Sequence, residues 1–496
     1  MPQSASLEIH VQNVGQGDSV LVINRSLSAV KTAITTAKGA ASVPANPIDY
    51  MPYAIKNGVS LAGTVTKALL VDGGDDEYGG NVLDYMAAQG VFDGTTVYRP
   101  DLSLVVSHYH DDHMAGLRSV FKERIEPKKK NDKVMLIDRL RPGTVYQAMT
   151  DKKSDPVSQR YADFQADVLG AMSVATNKTV RVYLSPGGRD AITKQQVSID
   201  LGTGVNGIPI KATVLAAAQA VWDKGKNQVV AIASTGSTVD QNDRSVVLVL
   251  EYGSFRCLLG GDIAGNGVGP GGNFGANAAD TGTKKFFSQH ADVESTLGPA
   301  LEAYFPKTTA WVNGQPKFTA DGYCTVFKAN HHGSSSSVDV HLLATVQPLV
   351  FVGSSGVKAR FHSHPTQAVM NRVTPAQTAQ WGRRAEGTVA ADTVMVNNTI
   401  KGIYLTEVAA KVKNKAFGVS IYTASIMGDT VIRPVDETIA AVQAATSPGT
   451  ALTVQVYGIG EQTLLYDPGS TLRPTAALNA ASAIYPIGPF THSDTH

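Results

Sequence analysis

Two cysteines in 496 residues, Cys257 and Cys324, are too few for a disulfide framework, and with no CxxC pair they form no zinc ribbon. Their neighbours, RCLLGG and YCTVFK, are apolar, so both read as buried thiols. Charge is also scarce, at 17% of residues with a formal net charge of +1. That excludes a surface that is one continuous trap for polyanions and leaves only local patches open. No run approaches the ~20 apolar residues that span a bilayer. The opening MPQSASLEIHVQNVG has no charged stretch leading into an apolar one, so no secretory signal is read. A soluble, cytoplasmic protein with no membrane partner is therefore the expectation. No repeat of solenoid period is visible. What remains is ample material for a core, 43% hydrophobic, in a chain long enough for one large domain or two smaller ones.

SLEIHVQNVGQGDSVLVI reads as two strands around a glycine turn, because Leu7, Ile9 and Val11 alternate and Val20 to Ile23 follow. Residues 25–65, rich in Ala, Ser, Thr and Pro, read as an insertion or irregular arm. KALLVDGG is a buried strand ending in an acidic turn, and NVLDYMAAQG has helical spacing with Gly90 as its stop. DLSLVVSHYHDDHMAGLRSVF is strand, loop, helix, with its polar cluster at the end of the strand, where α/β folds place chemistry. SVVLVLEYGSFRCLLGGDI is a hairpin. YCTVFKANHHGSSSS and QPLVFVGSSG are further strands running into loops. The last hundred residues alternate short β-like runs with Pro and Gly.

The histidines are not scattered. Ten of the twelve lie before residue 370, and seven of those fall into three tight groups: His108, His110 and His113; His331 and His332; His362 and His364. Each group follows a strand, which suggests ligands converging on one place. On an extended loop His108 and His110 alternate and grip one cation, while Asp112 and His113 turn towards a second. Imidazole with carboxylate suits a borderline divalent ion, zinc first, with manganese or iron as alternatives.

At these residues the sequence resembles the metallo-β-lactamase superfamily. His108, His110, Asp112 and His113 match its HxHxDH signature. LLVDGG, with Asp72, resembles the first motif; LLGGDI, with Asp262, resembles the segment of the bridging aspartate; NHHGSS resembles the late histidine motif. VQNVGQGDSVLV, NDRSVVLVLEYGSFRCLLGGD and HSHP are similar to the hydrolase domain of the ComEC branch. The resemblance spans about residues 7–370 and carries none of that branch's membrane segments. It implies a four-layer αβ/βα sandwich over residues 1–400, with the insertion at 25–65 and a β-rich extension at 401–496.

It also implies two metal sites. One takes His108, His110 and Asp262; the other takes Asp112, His113, Asp262 and one of His331 and His332, with His332 favoured. Asp112, Asp262 and His364 become the catalytic residues, His364 as proton donor or phosphate ligand. Ser334, Ser335 and His362 fall on the substrate side, unless the serines only cap the next segment. Asp72 and Asp111 are candidate orienting partners for the histidines. The family's further histidine between the signature and the bridging aspartate is missing, since none occurs between His113 and His290. Asn242 or Asp243 is the suggested substitute.

The implied activity is phosphodiester hydrolysis by hydroxide held between two metals, with DNA or RNA as the leading substrate. The basic stretches Arg118–Arg160 and Lys358–Arg384 are candidate phosphate contacts. Two other classes are carried: hydrolysis of a lactone, thioester or β-lactam, and a metal-stabilised binding module without catalysis.

Overall fold

A computed structural model of the chain describes residues 5–125, 135–149, 156–170, 179–232, 240–265, 291–302, 304, 310–312, 315–317, 324–334, 336–346, 348–358, 362–366, 369, 373, 400, 402–414, 419–426, 428–444, 452–459, 464–466, 473–474 and 484–492. Two large mixed sheets, of ten and eleven strands, organise them. In the first, Ala5–Val11 and Val20–Ser26 form the expected antiparallel hairpin. Val65–Val71, Tyr98–Val106, Arg141–Ala148 and Val180–Ser185 then run parallel to one another. In the second, the hairpin Val247–Tyr252 and Phe255–Leu259 leads into a parallel run of Val326–Lys328, Val350–Gly353 and Gly402–Leu405.

The period-2 alternation of these strands sets the layers. Leu7, Ile9 and Val11 of the first sheet share a core with Leu248, Leu250 and Tyr252 of the second, so the sheets stack face to face. On the outer face of the first sheet, Leu70 and Leu104 pack against helices Gly79–Ala88 and Asp111–Phe121 through Val82, Met86, Met114 and Leu117. On the outer face of the second, Val249, Phe327 and Phe351 pack against Val293–Glu302 and Val340–Val346 through Leu297, Leu301, Leu342 and Leu343. The result is an α/β sandwich ordered helix, sheet, sheet, helix. Each fully buried aliphatic side chain of this kind contributes about 1.5–3 kcal/mol.

Two stretches differ from the sequence reading or refine it. The 25–65 stretch is not an irregular arm. Val20–Ser26 completes its strand, and Leu27–Lys38 is a helix whose N-cap Ser26 Oγ accepts from Ala29 N at 3.2 Å. It buries Leu27, Val30 and Ile34 against Tyr50, Met51 and Ala54 of a second helix, Tyr50–Lys56. The Ala/Thr-rich composition masked a spacing of three and four residues that is enough for one apolar face. Beyond residue 401 the chain is β-rich, and its strands join both sheets: Asp429–Pro434 pairs with Ala5–Val11, and Leu464–Tyr466 with Gly402–Leu405. Among the described residues no helix is long and apolar enough to cross a membrane.

Candidate metal centre

Parallel strands point their C-terminal ends the same way, so the loops that leave them gather at one edge of the sandwich. From the first sheet come Asp72, after Val65–Val71, and Ser107 to His113, after Tyr98–Val106. From the second come Gly260 to Asp262, Ala329 to His332 and Ser354, after Phe255–Leu259, Val326–Lys328 and Val350–Gly353. Backbone hydrogen bonds stitch the loops together: Val246 N to Ser107 O (2.8 Å), His331 N to Gly261 O (3.0 Å), Asp18 N to Asp112 O (3.1 Å) and Gly73 N to His113 O (2.8 Å).

At the centre lies the Asp262 carboxylate, 2% exposed. Four imidazole Nε2 atoms converge on it: His113 at 3.1 Å from Oδ1, and His332, His331 and His108 at 3.3, 3.8 and 4.0 Å from Oδ2. For three of these rings the opposite nitrogen is already engaged. His113 Nδ1 lies 2.8 Å from Asp72 Oδ2, His108 Nδ1 lies 3.1 Å from Ser107 Oγ, and His332 Nδ1 lies 3.1 Å from the Ser354 carbonyl oxygen. Asp72 is itself fixed, accepting from Ser107 N at 2.8 Å and from Ser107 Oγ at 2.5 Å. Partners on Nδ1 set the tautomer and aim the Nε2 lone pair inward, which is how metal-ligating histidines are held. Nε2 of His108 is buried with no hydrogen-bond partner, which fits a ligand atom better than a structural one.

Asp18, Asp262, His113 and His332 are all buried, with one candidate ligand atom from each within 4.8 Å of the others. Asp18 nevertheless stands on the outer side of His332, its Oδ1 3.2 Å from Nδ1, and its Oδ2 accepts from Lys328 Nζ. We therefore place it with Asp72, as a carboxylate that orients a histidine. The sequence reads GQGD as a turn inside a ComEC-like motif and assigns no role to Asp18 or Lys328. In the fold a Cβ on Gly17 would lie 2.5 Å from Asp112 O, so this turn sits against the histidine loop.

The electrostatics follow from burial and from the scarcity of fixed positive charge. Burial alone would raise the Asp262 carboxyl, but His113, His332 and His331 hold it well below its ordinary value. Burial would lower His332, yet Asp262 and Asp18 bring it up to about 9. His113 rises for the same reason, against Asp262 and Asp72. His108 falls well below 6.5 because it is buried beside His113 and His110. Carboxylates that keep imidazoles protonated when no cation is near are a site where a divalent ion displaces protons.

The other expected site residues divide. Asp112 Oδ2 is 3.7 Å from His332 Nε2. His110 is partly exposed; its ring centroid lies 4.8 Å from that of His108, and its Nε2 lies 3.9 Å from Asp240. His364 is buried, with its ring centroid 6.0 Å from His331 and 6.4 Å from His332. A scan against protein-family models gives no match, and neither does a search of curated proteins. Asn242 Nδ2 lies 3.5 Å from His331 Nε2, whereas Asp243 accepts from Ala291 N. Asp111 turns away from the histidines to pair with Arg160 at 3.2 Å. Ser334 uses its backbone N–H on His331 O and its hydroxyl on Ser336, so these groups serve the turn, not an incoming anion. The cap of the following helix is Asp339, which accepts from Leu342 N at 2.7 Å, and not a serine. Ser335 and the side chain of His362 lie outside the described residues.

The basic stretch Arg118–Arg160 builds no phosphate track among the described residues. Arg118 pairs with Asp163 and Asp167, Arg139 with Glu123, Arg141 and Lys122 with Asp138, and Arg160 with Asp75 and Asp111. Lys358 and the arginines that follow it have side chains outside the described set.

Proposed function

We propose that the chain is a metal-dependent hydrolase of the metallo-β-lactamase kind, acting on phosphodiesters. The observation that carries this is the convergence of four imidazole Nε2 atoms on one buried carboxylate, within 3.1–4.0 Å, with no guanidinium beside that carboxylate among the described residues. In this reading Asp262 is shared by two ligand groups, Asp112, His113 and His332 for one cation and His108, His110 and His331 for the other. His331 then takes the place of the histidine that is missing between His113 and His290. Zinc fits this nitrogen-and-oxygen donor set best, and manganese fits next.

Divalent cations bound there supply Lewis acidity and bring the pKa of water towards ~7. The chain's own residues do the rest. Asp72, Ser107 and Ser354 hold the ligand tautomers; Asp18 and Lys328 fix His332 from behind. His364, beside the His331–His332 turn, is placed to give a proton to the leaving oxygen. The choice of phosphodiester over carbonyl substrate comes from the ComEC-like motifs; nucleic acid is the leading phosphodiester on the same ground.

The test is metal analysis joined to a side-by-side assay of bis-p-nitrophenyl phosphate, nitrocefin and an acyl-lactone, with zinc, manganese and magnesium in turn. Cleavage of the phosphodiester alone is the expected outcome. Turnover of nitrocefin or the lactone alone moves the substrate class to carbonyl esters and amides. Metal that raises Tm with no turnover of any substrate makes the site a structural one. In the same assay His364→Ala should cut turnover with metal content unchanged; loss of metal would make His364 a ligand.

A further inference from the structure

His331 and His332 sit consecutively in the left-handed region, φ 47° and 53°, a conformation that side chains other than glycine's rarely adopt. Something must hold the turn there, because without both strained residues the two rings do not splay, their centroids 6.1 Å apart and their planes at 74°. The backbone bonds from His331 N to Gly261 O and from Ser334 N to His331 O close the turn locally. The residue before it, Asn330, is anchored from a distance. Asn330 Nδ2 donates to Glu294 Oε1 at 2.7 Å, across thirty-six residues of sequence.

Glu294 is 0% exposed, and among the described residues no cation faces it. Its Oε1 also accepts from Val338 N at 2.7 Å, and its Oε2 from Asp339 N at 2.6 Å. Glu294 N and Val293 N donate to Ala264 O at 3.1 and 2.9 Å. The carboxyl group thus ties the turn that carries His331 and His332 to the cap of the next helix, and the backbone of the same residue ties both to the loop that carries Asp262. On the other side, the Asn330 amide fills the space beside Gly260, where a Cβ would lie 2.1 Å from Asn330 Oδ1. The donors around Glu294 are N–H groups, so its carboxyl is spent on orienting the chain. Burial, with Asp339 beside it, raises its carboxyl to about 8, so a neutral or proton-sharing form is the resting one.

We infer that Glu294 is a positioning residue for the candidate metal centre: through Asn330 it holds the His331–His332 turn so that both imidazoles reach Asp262 Oδ2. This rests on the metal-site reading above, and it names a residue outside the ligand set whose loss should misplace two ligands at once.

The experiment compares Glu294→Ala, Glu294→Gln and Asn330→Ser in the full-length chain. Zinc Kd is measured by competition with a chelator, and the imidazole signals of His331 and His332 by nitrogen-edited NMR of the metal-free protein. Glutamine keeps the Oε1 acceptor for Asn330 and Val338 and loses the bond from Asp339 N. Expected are a zinc Kd weakened at least ~10-fold in Glu294→Ala and Asn330→Ser, shifted His331 and His332 signals in both, and rescue to within about 3-fold of wild type in Glu294→Gln. Rescue separates positioning from stability, since the glutamine variant should still melt below wild type. Wild-type affinity in Glu294→Ala or Asn330→Ser, or no rescue by glutamine, overturns the inference. If Glu294→Ala does not fold, the other two variants decide. If the wild type binds no zinc, the metal-site reading fails by itself, and unshifted histidine signals in the metal-free variants would reject the positioning role separately.

Discussion

The protein buries two clusters of histidine and carboxylate, and they are built on opposite principles. In the first, on the face of Ala5–Val11 turned away from the shared core, Glu8 meets Arg25 at 3.0 Å, Arg433 at 3.7 Å and His10 at 3.3 Å. Arg25 goes on to Thr64 Oγ1 and Gln89 O at 2.7 and 2.9 Å, and His10 to Tyr85 at 2.8 Å. Burial would raise Glu8, but Arg25, His10 and Arg433 take it down to about 2. That cluster carries its own cations and is closed. Around Asp262 the carboxylates meet imidazoles, and the one lysine nearby among the described residues, Lys328, binds Asp18 on the far side of His332. That cluster is balanced only by protons or by an added ion. The lesson is that a buried His–carboxylate group reads as structural when guanidinium completes it, and as a candidate metal centre when nothing in the chain does.

The sharpest way to break this contrast is Asp262→Asn. It should reduce zinc affinity by at least ~100-fold and bring any hydrolysis to background, and the metal-free protein should melt below wild type at neutral pH, since buried His113 and His332 lose the carboxylate that pairs with them. Titration calorimetry and a metal-free melt check both halves; retained zinc would remove Asp262 from the ligand set. Arg25→Ala should cost stability without costing zinc. Stranding Glu8 costs roughly 3–5 kcal/mol in denaturant unfolding, with zinc affinity unchanged once the protein is folded. Next comes Asp72→Asn, which loosens His113 without touching Asp262; a loss of ~10–100-fold in zinc affinity is expected.

The smallest effect is in the pH dependence of metal-free stability, where the cluster around Asp262 should have an alkaline limb that the Glu8 cluster lacks. Glu8 is depressed, so its contribution is present above 4.5 and lost as pH falls through about 2. His332 is raised, so its contribution is full below 6.5 and lost as pH rises through about 9. Thermal melts across that range should show both limbs. Glu8→Gln should shrink the acid limb, to which the depressed Asp262 carboxyl also contributes, and saturating zinc should erase the alkaline limb.

Much of the candidate centre was legible along the chain, because its pieces are local. SHYHDDH, GGD and NHH each follow a recognisable β run, and strand ends are where parallel sheets present side chains. The hairpins at 5–26 and 247–259 were legible for the same reason, through alternation over a few residues. Asp18 was not, since nothing near it distinguishes a turn aspartate from one packed 3.2 Å behind a histidine more than three hundred residues away. The helix at Leu27–Lys38 was missed because its weak helix formers and small side chains resemble a loop until Tyr50 and Met51 cover them. The basic stretch after Arg118 looked like a phosphate track only because its acidic partners are spread from Asp75 to Asp167.

By itself, the sequence determined which residue types would stand at which strand ends, since periodicity and turn chemistry are properties of neighbours. It fixed the histidine groups, the carboxylate at 262 and the absence of a histidine between 113 and 290. Only the tertiary structure decided who faces whom: that Asp72 and Asp18 stand behind His113 and His332, that Asp111 turns to Arg160, and that His331 as well as His332 reaches Asp262. The reason is range. Ligand and hydrogen-bond geometry is set within a few tenths of an ångström between groups far apart in the chain, and only the stacking of two sheets brings such groups to that distance.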